Sequence, residues 1–140
     1  MTSIVSGRRR LVSVLAPLGV AAVVSGAALY VRAVDPNEPG HYPGCPFLAL
    51  TGLLCPGCGG LRAVHALGHG DVAAALGLNA LVVLLVPVAG FLWVRWFAQA
   101  WRGRPMRPVA PGPRWLYGFL AAGVVFWIVR NMPFGQLLAP

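Results

Sequence analysis

Three long stretches of this chain carry almost no polar side chain, and the polar residues collect between and beside them. The first apolar run covers residues 11–31, preceded by Arg8, Arg9 and Arg10 and closed by Tyr30 and Arg32. The second covers residues 78–97, holds Pro87 in its middle and leaves through Trp93, Trp96 and Trp101. The third covers residues 115–132, with Trp115, Tyr117 and Trp127 at its ends. A helix crossing the hydrocarbon core needs about 20 mostly apolar residues, and aromatic side chains gather at headgroup depth. The pattern therefore predicts three transmembrane helices, with a kink at Pro87. For the first run the competing reading is a cleaved signal peptide, whose apolar region spans about 7–15 residues. This run is longer and contains its own small-residue triplet, Ser25-Gly26-Ala27, so an uncleaved anchor is expected. The faint twin-arginine match at Arg8 to Val12 arises cheaply in an arginine-rich chain. For the third run, the shortest, the competing reading is a tilted or re-entrant segment.

Between the first two runs lies the loop 32–77. It opens with a turn-rich stretch, Asp35 to Gly44, that cannot hold regular structure. After the apolar stretch Pro46 to Leu54, Pro56-Gly57 separates Cys55 from Cys58. From Cys58 to Leu67 the spacing predicts a short helix ended by Gly68 and Gly70. At 100° per residue Cys58, Arg62, His65 and His69 share a stripe about 60° wide, with Leu61, Val64 and Leu67 beside it. That describes an amphipathic helix at the membrane surface. Asp71 is placed to cap the helix that leads into the second run.

Composition strengthens this picture. The 140 residues are 58% hydrophobic and only 10% charged, with mean hydropathy +0.73, whereas soluble domains are about a quarter charged. A net charge of +8 would suit a nucleic-acid partner, but the arginines flank apolar runs instead of forming a face, which excludes that class. The absence of lysine beside abundant Ala, Gly, Pro and Arg fits a GC-rich bacterial genome. Arginine also sets orientation, because cytoplasmic loops are enriched in it. The tail 1–10 carries Arg8, Arg9 and Arg10; the loop 98–114 carries Arg102, Arg104, Arg107 and Arg114. The loop 32–77 has only Arg32 and Arg62 against Asp35, Glu38 and Asp71. The tail and the loop 98–114 are expected on the cytoplasmic side of a bacterial inner membrane. The cysteine loop is then expected outside, where thiols meet an oxidising environment.

All three cysteines fall within CPFLALTGLLCPGC, Cys45 to Cys58. A Cys-x-x-Cys pair suits a redox disulfide or two ligands of a tetrahedral zinc ion. Cys45 would then be the third ligand or the resolving thiol. The fourth ligand would be His65, with His41 and His69 as alternatives. The plainer reading is a structural disulfide that staples the loop. Cys58 is expected at a helix N-terminus, its thiolate favoured by free N–H groups and by Arg62 one turn on; the plainer role for Arg62 is snorkelling to headgroups. A haem attachment motif is excluded, since Gly59 and not His follows Cys58.

These residues also carry a resemblance. Cys45-Pro46-Phe47, Thr51-Gly52-Leu53, Cys55-Pro56-Gly57-Cys58-Gly59, Leu61-Arg62-Ala63 and Gly70-Asp71-Val72 to Asn79 resemble a family of small bacterial membrane proteins known as domain of unknown function 2752. The likeness covers residues 45–88; Gly60 departs from it, where the family often has a larger residue. It implies a multi-spanning bacterial membrane protein in which Cys45 to Asn79 form one unit, and it implies no activity. Asn79, at the entrance of the second run, is expected either to bond the backbone of the cysteine turn or to cap the span.

The expected architecture is thus an all-α integral membrane protein with three transmembrane helices and a short amphipathic helix after a Cys-Pro-Gly-Cys turn. No carboxylate cluster or nucleotide motif points to an enzyme. The leading expectation is a membrane component whose cysteine module is structural or docks a partner, another membrane protein or a second copy. The alternative is a thiol–disulfide or zinc-binding protein using the Cys-Pro-Gly-Cys motif.

Overall fold

The computed structural model describes residues 2–104 and 112–138, and helix is the only regular structure among them. Five α-helices follow in order: α1 Thr2–Ala33, α2 Pro46–Thr51, α3 Gly60–Gly68, α4 Val72–Trp101 and α5 Pro113–Arg130. A 3-10 helix, Pro133–Leu138, closes the series. Arg107 of the basic loop lies outside the described residues.

Local chemistry explains most of the boundaries. Helix α2, which the hydropathy pattern left undefined, starts with Pro46 in its first turn and stops where Gly52 turns left-handed (φ +71°); both are standard punctuation. Helix α3 begins after Gly59, also left-handed at φ +75°, and so starts beyond Cys58. Asp71 caps α4, its carboxylate accepting from the Ala74 N–H at 2.9 Å. Pro87 lies inside α4, yet the non-helical backbone is at Asn79 (φ −163°, ψ 91°) and not at the proline. An amide that can cap a helix and reach neighbouring carbonyls breaks the helix where its partners are. Pro87 has no such partner and simply forgoes one hydrogen bond.

The chain divides into two compact units. One comprises residues 1–27 and 86–110, the first part of α1 with the second part of α4. There Ser13 Oγ donates to the Ala100 carbonyl (3.1 Å), and the Trp93 indole N–H donates to the Pro17 carbonyl (3.0 Å). Trp93 also stacks on Phe97, with ring centroids 5.5 Å apart.

The other unit comprises residues 28–85 and 111–140. It gathers the last turn of α1, all of α2 and α3, the start of α4 and α5. Its core is made of small residues: Ala63, Ala66 and Ala75 are buried, with Leu67, Leu78, Val82 and Val83 packed against them. Small side chains let backbones approach closely, as helices in lipid commonly do. The buried face of α3 is therefore its alanine face, set against α4. Gly68 makes room for the Arg32 stem, which would lie 3.3 Å from an added Cβ.

Two helical stretches, Val12–Ala33 and Val72–Trp101, are long and apolar enough to cross a membrane. Only 6% and 11% of their most apolar windows are buried within the chain, which separates them from the covered core helix of a soluble protein. Leu15, Val23, Leu29, Leu84, Phe91 and Val94 are among the large apolar side chains left exposed along them.

A clamped turn carrying three thiols

The Cys-Pro-Gly-Cys segment folds as a tight turn. The Cys58 N–H donates to the Cys55 carbonyl (3.1 Å), and the Gly60 N–H to the Gly57 carbonyl (2.9 Å). The Cys55 N–H points at the Cys58 sulfur, 3.2 Å away. The Cys55 and Cys58 Sγ atoms approach to 2.9 Å, and Cys45 Sγ lies 3.5 Å from Cys55 Sγ. All three cysteines are free thiols, and their sulfurs lie within 4.8 Å of one another. That is close enough for the three to hold one metal ion.

Side chains from α4 and α5 hold this turn through its backbone. Asn79, fully buried, donates through Nδ2 to the carbonyls of Pro56 (3.0 Å) and Cys58 (3.1 Å). Its Oδ1 accepts from the Val82 N–H at 3.1 Å, capping the remainder of α4. Asn79 thus does both things that the sequence offered as alternatives, with opposite ends of one amide. From α5, the Trp127 indole N–H donates to the Leu54 carbonyl at 2.8 Å. Asn131 takes Leu54 from both sides, accepting from its N–H (2.9 Å) and donating to its carbonyl (3.0 Å). Arg130, 2% exposed, donates to the Leu78 carbonyl (3.0 Å) and, at a longer 3.4 Å, to the Cys55 carbonyl. The Leu78 carbonyl needs such a donor, because the Val82 N–H that a regular helix would supply has turned to Asn79.

The thiols sit in unequal surroundings. Cys45 stands at the start of α2, where the Leu48 backbone N–H, helped by the Cys58 thiol, holds its pKa below the usual thiol value. Cys58 is buried, and loss of hydration, with the Cys55 and Cys45 thiols as further causes, pushes its pKa up to about 12. The sequence pointed to Cys58 as the thiol at a helix N-terminus. The structure gives that position to Cys45, because Gly59 delays the start of α3.

The remaining residues singled out by sequence lie apart from the thiols. Among the described residues the cluster consists of Cys45, Cys55 and Cys58 without a histidine. His65 Nδ1 lies 2.8 Å from the Val31 carbonyl, which ties α3 to the end of α1. His69 Nδ1 lies 2.9 Å from the His65 carbonyl, and the two rings are 4.4 Å apart. Arg62 is half-buried and His41 exposed, and neither bonds to the cysteine turn. In turn, the sequence reading missed the α5 clamp: Trp127 read as an interfacial anchor, and neither Arg130 nor Asn131 was assigned a role in the cysteine turn. The sequence offered only an arginine followed by asparagine at the close of an apolar run, and that pair does not reveal burial.

Comparison with known proteins bears on this segment. Residues 45–93 match the model of a family described as Protein of unknown function (DUF2752). The likeness covers about a third of the chain. The segment takes in all three cysteines, α2, α3, Asn79 and α4 as far as Trp93, whereas Trp127, Arg130 and Asn131 lie beyond it. No curated protein and no solved structure matched the chain.

Proposed function

We propose that the DUF2752 segment forms a thiolate site for one thiophilic metal ion, zinc in the first instance, on the outer side of a three-span membrane protein. The observation that carries this reading is the convergence of all three free thiols on a turn held by Asn79, Trp127, Arg130 and Asn131. Zinc bound by thiolates at about 2.3 Å places sulfurs about 3.8 Å apart; the Cys45–Cys55 separation of 3.5 Å is near that value, and the Cys55–Cys58 pair would open from 2.9 Å to take an ion. A structural staple would need two cysteines, and the third would have no reason to join them. With His65 engaged by Val31, the three thiolates are the protein's share of the site, and water or a partner supplies any further ligand.

Helix α5 supports the third span. Its 18 residues extend about 27 Å, near the thickness of the hydrocarbon core, and Leu116, Phe119, Leu120, Val124 and Ile128 are exposed along it. The end of α1, the start of α4 and the end of α5 meet in one unit, as alternating threading requires. Arginine placement favours the cytoplasmic side for the N-terminus and the basic loop.

Elemental analysis of the protein purified in detergent tests the reading. One zinc per chain is expected, lost in Cys45→Ser, Cys55→Ser and Cys58→Ser, with three thiols becoming reactive to maleimide after chelation. Thiols that titrate freely without chelator, and bind no added metal, would sink it.

A second reading is thiol–disulfide exchange, favoured by the 2.9 Å Cys55–Cys58 contact with Cys45 beside it. Two thiols would lose two protons and two electrons to a partner's disulfide, itself reduced to a dithiol. A disulfide that forms and is released during turnover of an oxidised protein partner would favour it over metal.

A further inference from the structure

Among the described residues, Arg130 is the one buried cation of the cysteine unit, and its hydrogen bonds account for only part of it. Its two terminal nitrogens reach the Leu78 and Cys55 carbonyls, while Nε is buried without a partner. A buried charge ordinarily demands an opposite one. The chain has three acidic residues, and none pairs with Arg130: Asp35 is bonded to Asn37, Asp71 caps α4, and Glu38 is exposed. The Arg130 guanidinium also lies over the Phe126 ring, 5.5 Å from the centroid, and it reaches the cysteine turn itself at the Cys55 carbonyl.

The charge count of a loaded site completes the argument. A divalent ion that binds three thiols releases three protons and leaves a complex of charge −1. Next to a low-dielectric membrane that charge is costly unless a fixed cation balances it. We infer that Arg130 is the counter-charge of a tris-thiolate complex, selecting for divalent thiophilic ions by bringing the bound site to net zero. The inference rests on the metal-site reading above and adds a specificity-determining residue from outside the DUF2752 segment.

Two probes of different charge separate this role from mere bracing of the turn. Cadmium(II) leaves three thiolates at net −1. Arsenous acid condenses with three thiols, forming three As–S bonds and three waters, and leaves a neutral site. Both are titrated against reduced full-length protein in nanodiscs, following sulfur-to-metal absorption for cadmium and loss of maleimide-reactive thiols for arsenic. Arg130→Gln keeps amide donors for the carbonyls and removes the charge; Arg130→Met removes both; Arg130→Lys keeps the charge. In the two uncharged variants cadmium affinity is expected to fall about 10- to 100-fold, the scale of one charge pair at an effective dielectric near 20. Arsenic binding is expected to stay within threefold throughout, and Arg130→Lys to hold cadmium within about tenfold of wild type. Equal losses for both probes in the uncharged variants, or a cadmium loss in Arg130→Lys as deep as theirs, would make Arg130 a bracket only and overturn the inference. Wild-type protein that binds neither probe would instead remove the metal reading and this inference with it, a pattern distinct from equal loss.

Discussion

Asn79 does the work of two residues. One end of its amide caps a helix and the other holds the cysteine turn, so the two roles can be separated by chemistry. Aspartate caps helices as well as asparagine does, but it cannot donate to the Pro56 and Cys58 carbonyls. Asn79→Asp is therefore expected to destabilise the protein at least as much as Asn79→Ala, which should cost about 2 kcal/mol or more through unpaired buried groups. Denaturant unfolding in detergent checks this, and an Asn79→Asp variant as stable as wild type would show that capping alone matters. Asn79 was legible in the sequence because a lone amide at the mouth of an apolar run needs a partner. Arg130 was not, since an arginine at the end of such a run looks the same whether it turns outward to headgroups or inward to a carbonyl.

At the scale of elements, the amphipathic helix after the Cys-Pro-Gly-Cys turn and the long apolar helices could be read from periodicity and length. What could not be read was where each helix begins to the residue. Gly59 in a left-handed conformation moved the start of α3 past Cys58, and Pro46 founded α2 immediately after Cys45. The start of α2 sets the Leu48 N–H against Cys45, while burial governs Cys58. The lowered pKa of Cys45 leaves more thiolate at a given pH, while Cys58, pushed up to about 12, stays protonated. In reduced, metal-free protein at about pH 8, near the ordinary thiol range, Cys45 is expected to alkylate well ahead of Cys58. Peptide mass spectrometry after timed quenching gives the order, and modification of Cys58 first would contradict it. The break in α4 at Asn79 was hidden for a similar reason: proline marks a missing hydrogen bond, whereas the non-helical residue sits where partners are available.

For the whole molecule, the proposal of three spans with the thiols outside makes a labelling prediction. Gly44 and Gly112 have open space around them, so cysteine can replace either in a background where the native cysteines are serine. Gly44→Cys is expected to react with a membrane-impermeant maleimide in intact cells, and Gly112→Cys only after the membrane is opened. Reaction of both from one side would rule out the alternating arrangement. The clamp has a further consequence, which lies in the order of the chain. The turn is made from residues 54–60, yet Trp127, Arg130 and Asn131, which hold it, come about seventy residues later. During synthesis the three thiols emerge long before their brackets do. For that interval they stand exposed to whatever oxidant or metal is nearby, and the arrival of α5 fixes the state in which they are finally enclosed.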